Sequence, residues 1–178
     1  MRALFLLILF WCSAVAHADD LHLTQEERSW LDAHRDSLVL SFEFKFPPFE
    51  FLSSKGYFSG LSADLIALIE ERLDITLHKQ PVEQWTAILN GLQTGETAVA
   101  PSITVTEERQ SYAIFTRPYA EVPIVIMTRR NEPRDLTLDT LDGRVVDVVR
   151  GYASADLVHS KAAGRFRVRE VESIQEGL

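Results

Sequence analysis

The side chains best arranged to hold a charged group lie around Thr106-Glu107-Glu108-Arg109. Threonine caps helix starts well, so Thr106 predicts a helical turn that carries Arg109 beside unpaired backbone N–H groups and the positive end of that turn. Such a constellation suits an anion. Just upstream, Val99 to Val105 reads as a strand on which Ser102 and Thr104, two residues apart, point to one side and add hydroxyl donors. The alternative is a surface arginine paired with Glu107 or Glu108. If Arg109 lies in an open cleft it is solvated, and replacing it is expected to leave stability almost unchanged.

Signals of catalysis are poor. The sequence has no His-Glu-x-x-His zinc motif, no Gly-x-Ser-x-Gly elbow and no Gly-rich phosphate loop, and His22, His34, His78 and His159 are scattered. No catalytic residue, metal ligand or cofactor is therefore expected. The chain opens with Arg2, the apolar run Ala3 to Ala16 and then Ala16-His17-Ala18, which reads as a secretory signal peptide over 1–18. The run is too short to span a bilayer. Cleavage removes Arg2 and the only cysteine, Cys12, leaving 17 Lys and Arg against 26 Asp and Glu, a net charge one unit below the −8 of the whole chain. That balance argues against nucleic acid as a partner, and the lack of thiols excludes a disulfide framework or a cysteine nucleophile.

The elements that must position these residues follow from spacing. Thr24 and Glu27 form a capping box that opens a short helix ending near His34, within a lead-in spanning 19–37. Val39 to Phe44 predicts a strand stopped by Pro47-Pro48, and Phe49 to Leu52 with Tyr57-Phe58 a small hairpin. Leu61, Leu65, Leu68, Ile69 and Leu73 form one apolar stripe on a helix from about Ser62. Leu77 to Gln80 predicts a strand ended by Pro81, followed by a helix over Glu83 to Gln93 with Gly95 beyond its end. This β-α-β-α-β order predicts an α/β layer structure with largely parallel pairing.

A second unit begins after the β-branched run Ile124 to Thr128, which reads as a strand. Arg144 to Arg150 predicts a strand, Ser154 to Ala163 a helix, and Phe166 to Val171 another strand, which puts Arg165, Arg167 and Arg169 on one face. A solvated face is the preferred reading of those arginines over an anion site. Ser173 and Glu176 make a further capping box opening a helix with no room to continue before Leu178, so the chain is expected to break off within this unit.

Phe46-Pro47-Pro48-Phe49-Glu50-Phe51, Gly60 with Asp64, Trp85-Thr86-Ala87-Ile88-Leu89-Asn90-Gly91-Leu92, Ser102 to Arg109, Phe115-Thr116-Arg117-Pro118-Tyr119 and Leu141-Asp142-Gly143 occur here in order. Singly weak, together they resemble the family 3 bacterial extracellular solute-binding proteins, from about Leu38 to the end. The resemblance implies an α/β, two-lobed periplasmic-binding-protein-like (type II) fold, with lobe 1 over 38–123 and an incomplete lobe 2 over 124–178. It implies a cleft in which Arg109 takes a ligand carboxylate, Ser102 and Thr104 add polar contacts, Phe46 and Trp85 form aromatic walls, and Glu43 meets a ligand ammonium. Core packing for the two aromatics, and a solvent-facing place for Glu43, are the competing readings. Asp64 is a stabilising acid in a helix first turn. Where amino-acid binders often show Gly-Thr-Thr, this chain has Gly151-Tyr152-Ala153. A hydroxyl contact is lost there, while backbone N–H groups around Gly151 and Tyr152 remain and Ser154 is close.

Three functions compete. The segment Leu23-Thr24-Gln25-Glu26-Glu27-Arg28-Ser29-Trp30-Leu31 resembles the start of such domains in periplasmic sensors of membrane-bound histidine kinases or diguanylate cyclases. This favours a sensor input domain for a small polar solute, an amino acid or related carboxylate. The alternative is a soluble substrate-binding subunit of an ABC amino-acid transporter. A dehydratase, or the binding domain of a lytic transglycosylase, is the third. The expected partner is a small molecule in the periplasm, with the membrane reached only through a missing downstream segment or a transporter.

Overall fold

The computed structural model describes residues 23–132 and 135–178. The expected signal peptide lies outside the described residues. Helix α1, Gln25–His34, starts at the anticipated capping box: the Glu27 N–H donates to Thr24 Oγ1 at 3.2 Å, and the Thr24 N–H to Glu27 Oε2 at 2.8 Å. None of its residues is fully buried. Leu31 packs on the first core, and Arg28 donates to the Leu73 carbonyl at 2.5 Å.

Strand β1, Val39–Glu43, pairs in parallel with β5, His78–Val82, in the register Val39 to His78 and Glu43 to Val82. On its other edge, the Ser41 N–H donates to the Val99 carbonyl at 3.0 Å and the Val99 N–H to the Val39 carbonyl at 3.0 Å. Backbone flanks both edges of β1, α3 and β3 pack on it, and residues from both of its faces are buried, Ser41 and Glu43 included. Strand β5 runs through Pro81, where a break was expected. Among the described residues its one ladder is with β1, and an edge strand tolerates a residue that cannot donate. Strands β2 (Lys45–Phe46), β3 (Glu50–Leu52) and β4 (Phe58–Ser59) form a three-stranded antiparallel sheet. Helix α2 covers Leu61–Leu73 and α3 covers Trp85–Thr94, the latter closed by Gly95 at φ 81°. Leu40, Phe42, Ile66, Ile75 and Leu77 make the first core.

Three expectations are corrected here. The apolar stripe of α2 is buried only in part: Leu61, Leu68 and Ile69 are exposed, Leu65 is half-buried and Leu73 packs on the first core, while Ser62 and Ile66 are the buried residues. The helix is rolled so that Ser62 reaches a polar network described below. Val99 to Val105 is not a strand; only Val99 bridges to Leu40, because Ser102 adopts φ 56° and turns the chain out of the ladder. Ile124 to Thr128 has strand composition but forms no ladder among the described residues; Ile126 packs on the second core while Ile124, Val125 and Met127 are exposed.

The second core gathers Leu141, Val148, Ala155, Val158, Ala162 and Phe166. It lies between α5, Ala153–Ala162, and the parallel pair β6, Val145–Val149, and β7, Arg167–Val171. A short turn, α4, spans Glu107–Gln110, and α6 spans Ile174–Gly177. At α6 the Ser173 hydroxyl accepts from Glu176 as expected, but the Glu176 carboxylate accepts from the Glu172 N–H, not from that of Ser173.

Candidate functional site

Arg109 is where the two units meet. The Thr106 hydroxyl accepts from the Arg109 N–H at 3.2 Å, so the anticipated cap forms and sets the direction of the side chain. Its guanidinium does not point into an open cleft. Only 4% of the residue is exposed; Nη1 donates to the Thr104 carbonyl at 2.8 Å and Nη2 to the Gly151 carbonyl, across the gap, at 2.7 Å. The Trp85 ring lies 5.6 Å from the guanidinium carbon, in cation–π range. The expectation of a solvated arginine is therefore overturned. Nor does Arg109 pair with Glu107 or Glu108 as a surface residue. Burial pulls its pKa down, while Tyr112, Asp156 and Glu108 oppose that shift.

Gly151 explains how lobe 2 comes so close. At φ 76° it occupies a conformation that suits glycine, and a Cβ there would stand 3.3 Å from side-chain atoms of Trp85, Thr86 and Leu89 on α3. The next residue, Tyr152, enters the gap. Its hydroxyl donates to Glu43 Oε2 at 2.5 Å, and its ring meets Phe46 and Trp85 edge-on, with centroids 6.0 and 5.8 Å apart. Five predicted site residues thus converge with Arg109: Glu43, Phe46, Trp85, Gly151 and Tyr152. Trp85 is buried and Phe46 half-buried, stacked on Phe49 at 5.4 Å.

Ser102 and Thr104 do not join them as a hydroxyl pair, because the strand that was to align them is absent. The Ser102 hydroxyl bonds to that of Ser62 at 2.7 Å, and Tyr119 Oη lies 3.0 Å from Ser62 Oγ and accepts from the Ser102 N–H at 3.1 Å. Thr104 is exposed and contributes its carbonyl to Arg109.

Glu50 was missed as a site residue although it stands inside the Phe46 to Phe51 motif. It is fully buried, and Oε1 accepts from the Glu43 N–H at 2.9 Å. Burial pushes its carboxyl up to about 8; the Glu43 N–H and Ser102 act against the shift, and the Glu43 charge adds to it. Glu43 is raised as well, by burial, with the Tyr152 hydroxyl opposing. Its partner Tyr152 is raised, first by burial and then by Glu43. Trp85 Nε1 is buried with no hydrogen-bond partner. The gap thus combines a cationic side chain, an anionic side chain, aromatic rings and one unsatisfied polar atom. That is a set for holding a small dipolar molecule, and among the described residues no group of three His, Cys, Asp or Glu is placed to hold a metal.

Arg165, just before β7, and Arg167 and Arg169 on it lie elsewhere. Arg165 pairs with Asp142 at 2.8 Å, and Arg169 pairs with Asp147 beside an open concavity of about 690 Å3. Carboxylates already meet two of the three.

Comparison with known proteins bears on the family and the fold. The Virulence sensor protein BvgS of Bordetella pertussis is 29% identical over 135 residues, 76% of this chain but 11% of its own length. The crystal structure of the B. pertussis BvgS periplasmic domain superposes with a TM-score of 0.77 at 26% identity, covering 88% of this chain and 30% of that one. An ancestral arginine-binding protein bound to glutamine gives a TM-score of 0.70 at 30% identity, over 78% of this chain and 61% of the other. The chain therefore spans a small part of the sensor and less than two thirds of the binding protein. These neighbours have the two-lobed type II binding-protein fold, shared here. The model for bacterial extracellular solute-binding proteins, family 3, matches residues 38–172, and the chain belongs to that family.

Proposed function

We propose that this chain is the exported, periplasmic input domain of a transmembrane signalling protein, and that it binds an amino acid or related carboxylate between its lobes. The observation that carries the reading is that the Arg109 guanidinium and the Glu43 carboxylate meet the same Gly151-Tyr152 pair, beside the rings of Trp85 and Phe46. A zwitterion has the matching charges: a carboxylate for a planar guanidinium fork and an ammonium for Glu43. Thr104 takes part through the carbonyl that accepts from Arg109, and Ser102 is held beside Ser62 and Tyr119. The likeness to a sensor protein, together with the capped lead-in helix α1, supports signalling as the output.

The soluble transporter subunit is the second reading, favoured by the likeness to an arginine-binding protein. A thermal-shift screen of amino acids, polyamines and organic acids on the full-length periplasmic protein tests the binding, since a ligand held only by the native state raises apparent stability. A zwitterionic hit whose effect is lost in Glu43→Gln is the expected result. No stabilisation by any compound overturns the reading. Prephenate and arogenate belong in the same screen, because their turnover instead of binding reveals an enzyme.

A further inference from the structure

Gly151 and Tyr152 are consecutive, and between them they satisfy both poles of the gap. The Gly151 carbonyl gives an acceptor to Arg109 at 2.7 Å, and the Tyr152 hydroxyl gives a donor to Glu43 at 2.5 Å. The Tyr152 ring lies against both Phe46 and Trp85. An acceptor at the guanidinium, a donor at the carboxylate and a body between aromatic rings are the three things an amino acid would bring.

We propose that the Gly151-Tyr152 pair is a tethered stand-in for the ligand, which holds the two lobes together in its absence and must be displaced before a solute binds. The proposal rests on the solute-binding reading of the same cleft and adds how that cleft is regulated. In an empty cleft of this chemistry, water would solvate Arg109 and Glu43 and closure would cost their desolvation. Here the chain itself supplies the compensating hydrogen bonds, so closure needs no solute.

The replacement is not perfect, and the residue of the mismatch is visible. Trp85 Nε1, a donor, remains buried without a partner. A tethered group that cannot reach it leaves its hydrogen bond to be made by an incoming molecule, which gives a free solute something the stand-in lacks. Buried unpaired polar atoms are costly, so this difference favours displacement. A free solute nevertheless competes against a group covalently fixed at the site, and its apparent affinity is reduced by the fraction of molecules in which Tyr152 is withdrawn. Gly151 fits the same account. With φ at 76° and only 3.3 Å between its would-be Cβ and α3, a larger residue could not bring the carbonyl to Arg109 without strain.

The test uses the full chain in a Cys12→Ser background, with spin labels on Glu71→Cys and Lys161→Cys to report lobe separation, and p-cresol as the probe because it is the Tyr152 side chain cut free. In the unsubstituted chain the lobes are expected to be closed without ligand, and p-cresol at ~1 mM gives no saturable heat, a Kd of that size being the weakest that matters here. In Tyr152→Ala the label distance broadens, and p-cresol binds saturably and narrows it again. A cavity shaped for a lost side chain commonly accepts the corresponding small molecule. Tyr152→Phe keeps the ring but drops the donor to Glu43, and an intermediate distribution is expected, with no p-cresol binding. Any amino acid bound by the unsubstituted chain should bind Tyr152→Ala more tightly, by about tenfold or more, the usual weight of a hydrogen bond to a charged group. Unchanged distances in both variants overturn the proposal. So does amino-acid binding of equal strength in Tyr152→Ala and the unsubstituted chain, which would leave the solute-binding reading standing. Opening and p-cresol rescue without binding of any amino acid would support the tether and remove the solute reading. If Tyr152→Ala loses its fold, the Tyr152→Phe distances decide: widening supports the tether, and no change sinks it.

Discussion

Replacing Arg109 with alanine should destabilise the ligand-free protein, and the structure sets the size of the effect. The side chain makes two hydrogen bonds to carbonyls, at 2.8 and 2.7 Å, from a residue 4% exposed. Hydrogen bonds from a charged group contribute about 1.5–3 kcal/mol each, and water entering the vacated space recovers part of that. The cation–π contact with buried Trp85 adds roughly 1–2 kcal/mol. A net loss of about 2–4 kcal/mol is expected, against the roughly 0.5 kcal/mol typical of surface substitutions. With urea m-values of about 1–3 kcal/mol per molar, the unfolding midpoint should fall by on the order of 1–2 M. Arg109→Lys should recover part of the loss, since one ammonium cannot present the fork that spans both carbonyls. The assay is urea unfolding followed by circular dichroism. A midpoint moved by no more than a surface substitution would refute the reasoning and return Arg109 to an open, solvated cleft.

Two further outcomes follow from neighbouring residues. Gly151→Ala forces an L side chain to φ 76° and against α3, so a loss of about 1–2 kcal/mol is expected, with wider lobe separation in the label experiment; unchanged separation would count against the close approach. Glu50 holds its proton in the folded state up to about 8, well above its ordinary value, so the native state binds more protons than the unfolded one between those limits. Stability should therefore fall as pH rises from about 4.5 to 8, by up to about 1.4 kcal/mol per pH unit, and level off above. Glu50→Gln can keep the acceptor for the Glu43 N–H and should flatten that slope, as urea midpoints across pH would reveal; an unaltered slope would place the titration elsewhere.

What could be read from the sequence was local. Thr24 and Thr106 begin elements through bonds three residues on, Gly95 ends one through its φ of 81°, and these signals hold in the structure. The parallel pairing of β6 and β7 follows from a strand-helix-strand order that leaves little choice. Failures came where distant groups override local pattern. Composition makes Val99 to Val105 a strand, but Ser102 is drawn into a left-handed turn where its N–H meets the Tyr119 hydroxyl, 17 residues on. The stripe on α2 predicted a leucine face, while the bonds of Ser62 to Ser102 and Tyr119 accompany a different roll. Six of the eight suggested site residues converge at one gap, and Thr104 takes part through its backbone. What no spacing rule could supply is that Tyr152 would reach Glu43, 109 positions away, or that Glu50 would lie behind it.

Helix α2 touches both ends of this domain's business. Its first turn carries Ser62, bonded to Ser102 and Tyr119 behind the cleft, and its last residue, Leu73, offers the carbonyl that receives Arg28 from α1. Thirteen residues at 1.5 Å each make a rod of about 20 Å. Such a rod has no slack along its axis, because every turn is braced by its own hydrogen bonds. The lead-in helix, which buries no residue fully, rests on the far tip of that rod. Any axial travel at Ser62 would therefore be felt at the Leu73 carbonyl that receives Arg28.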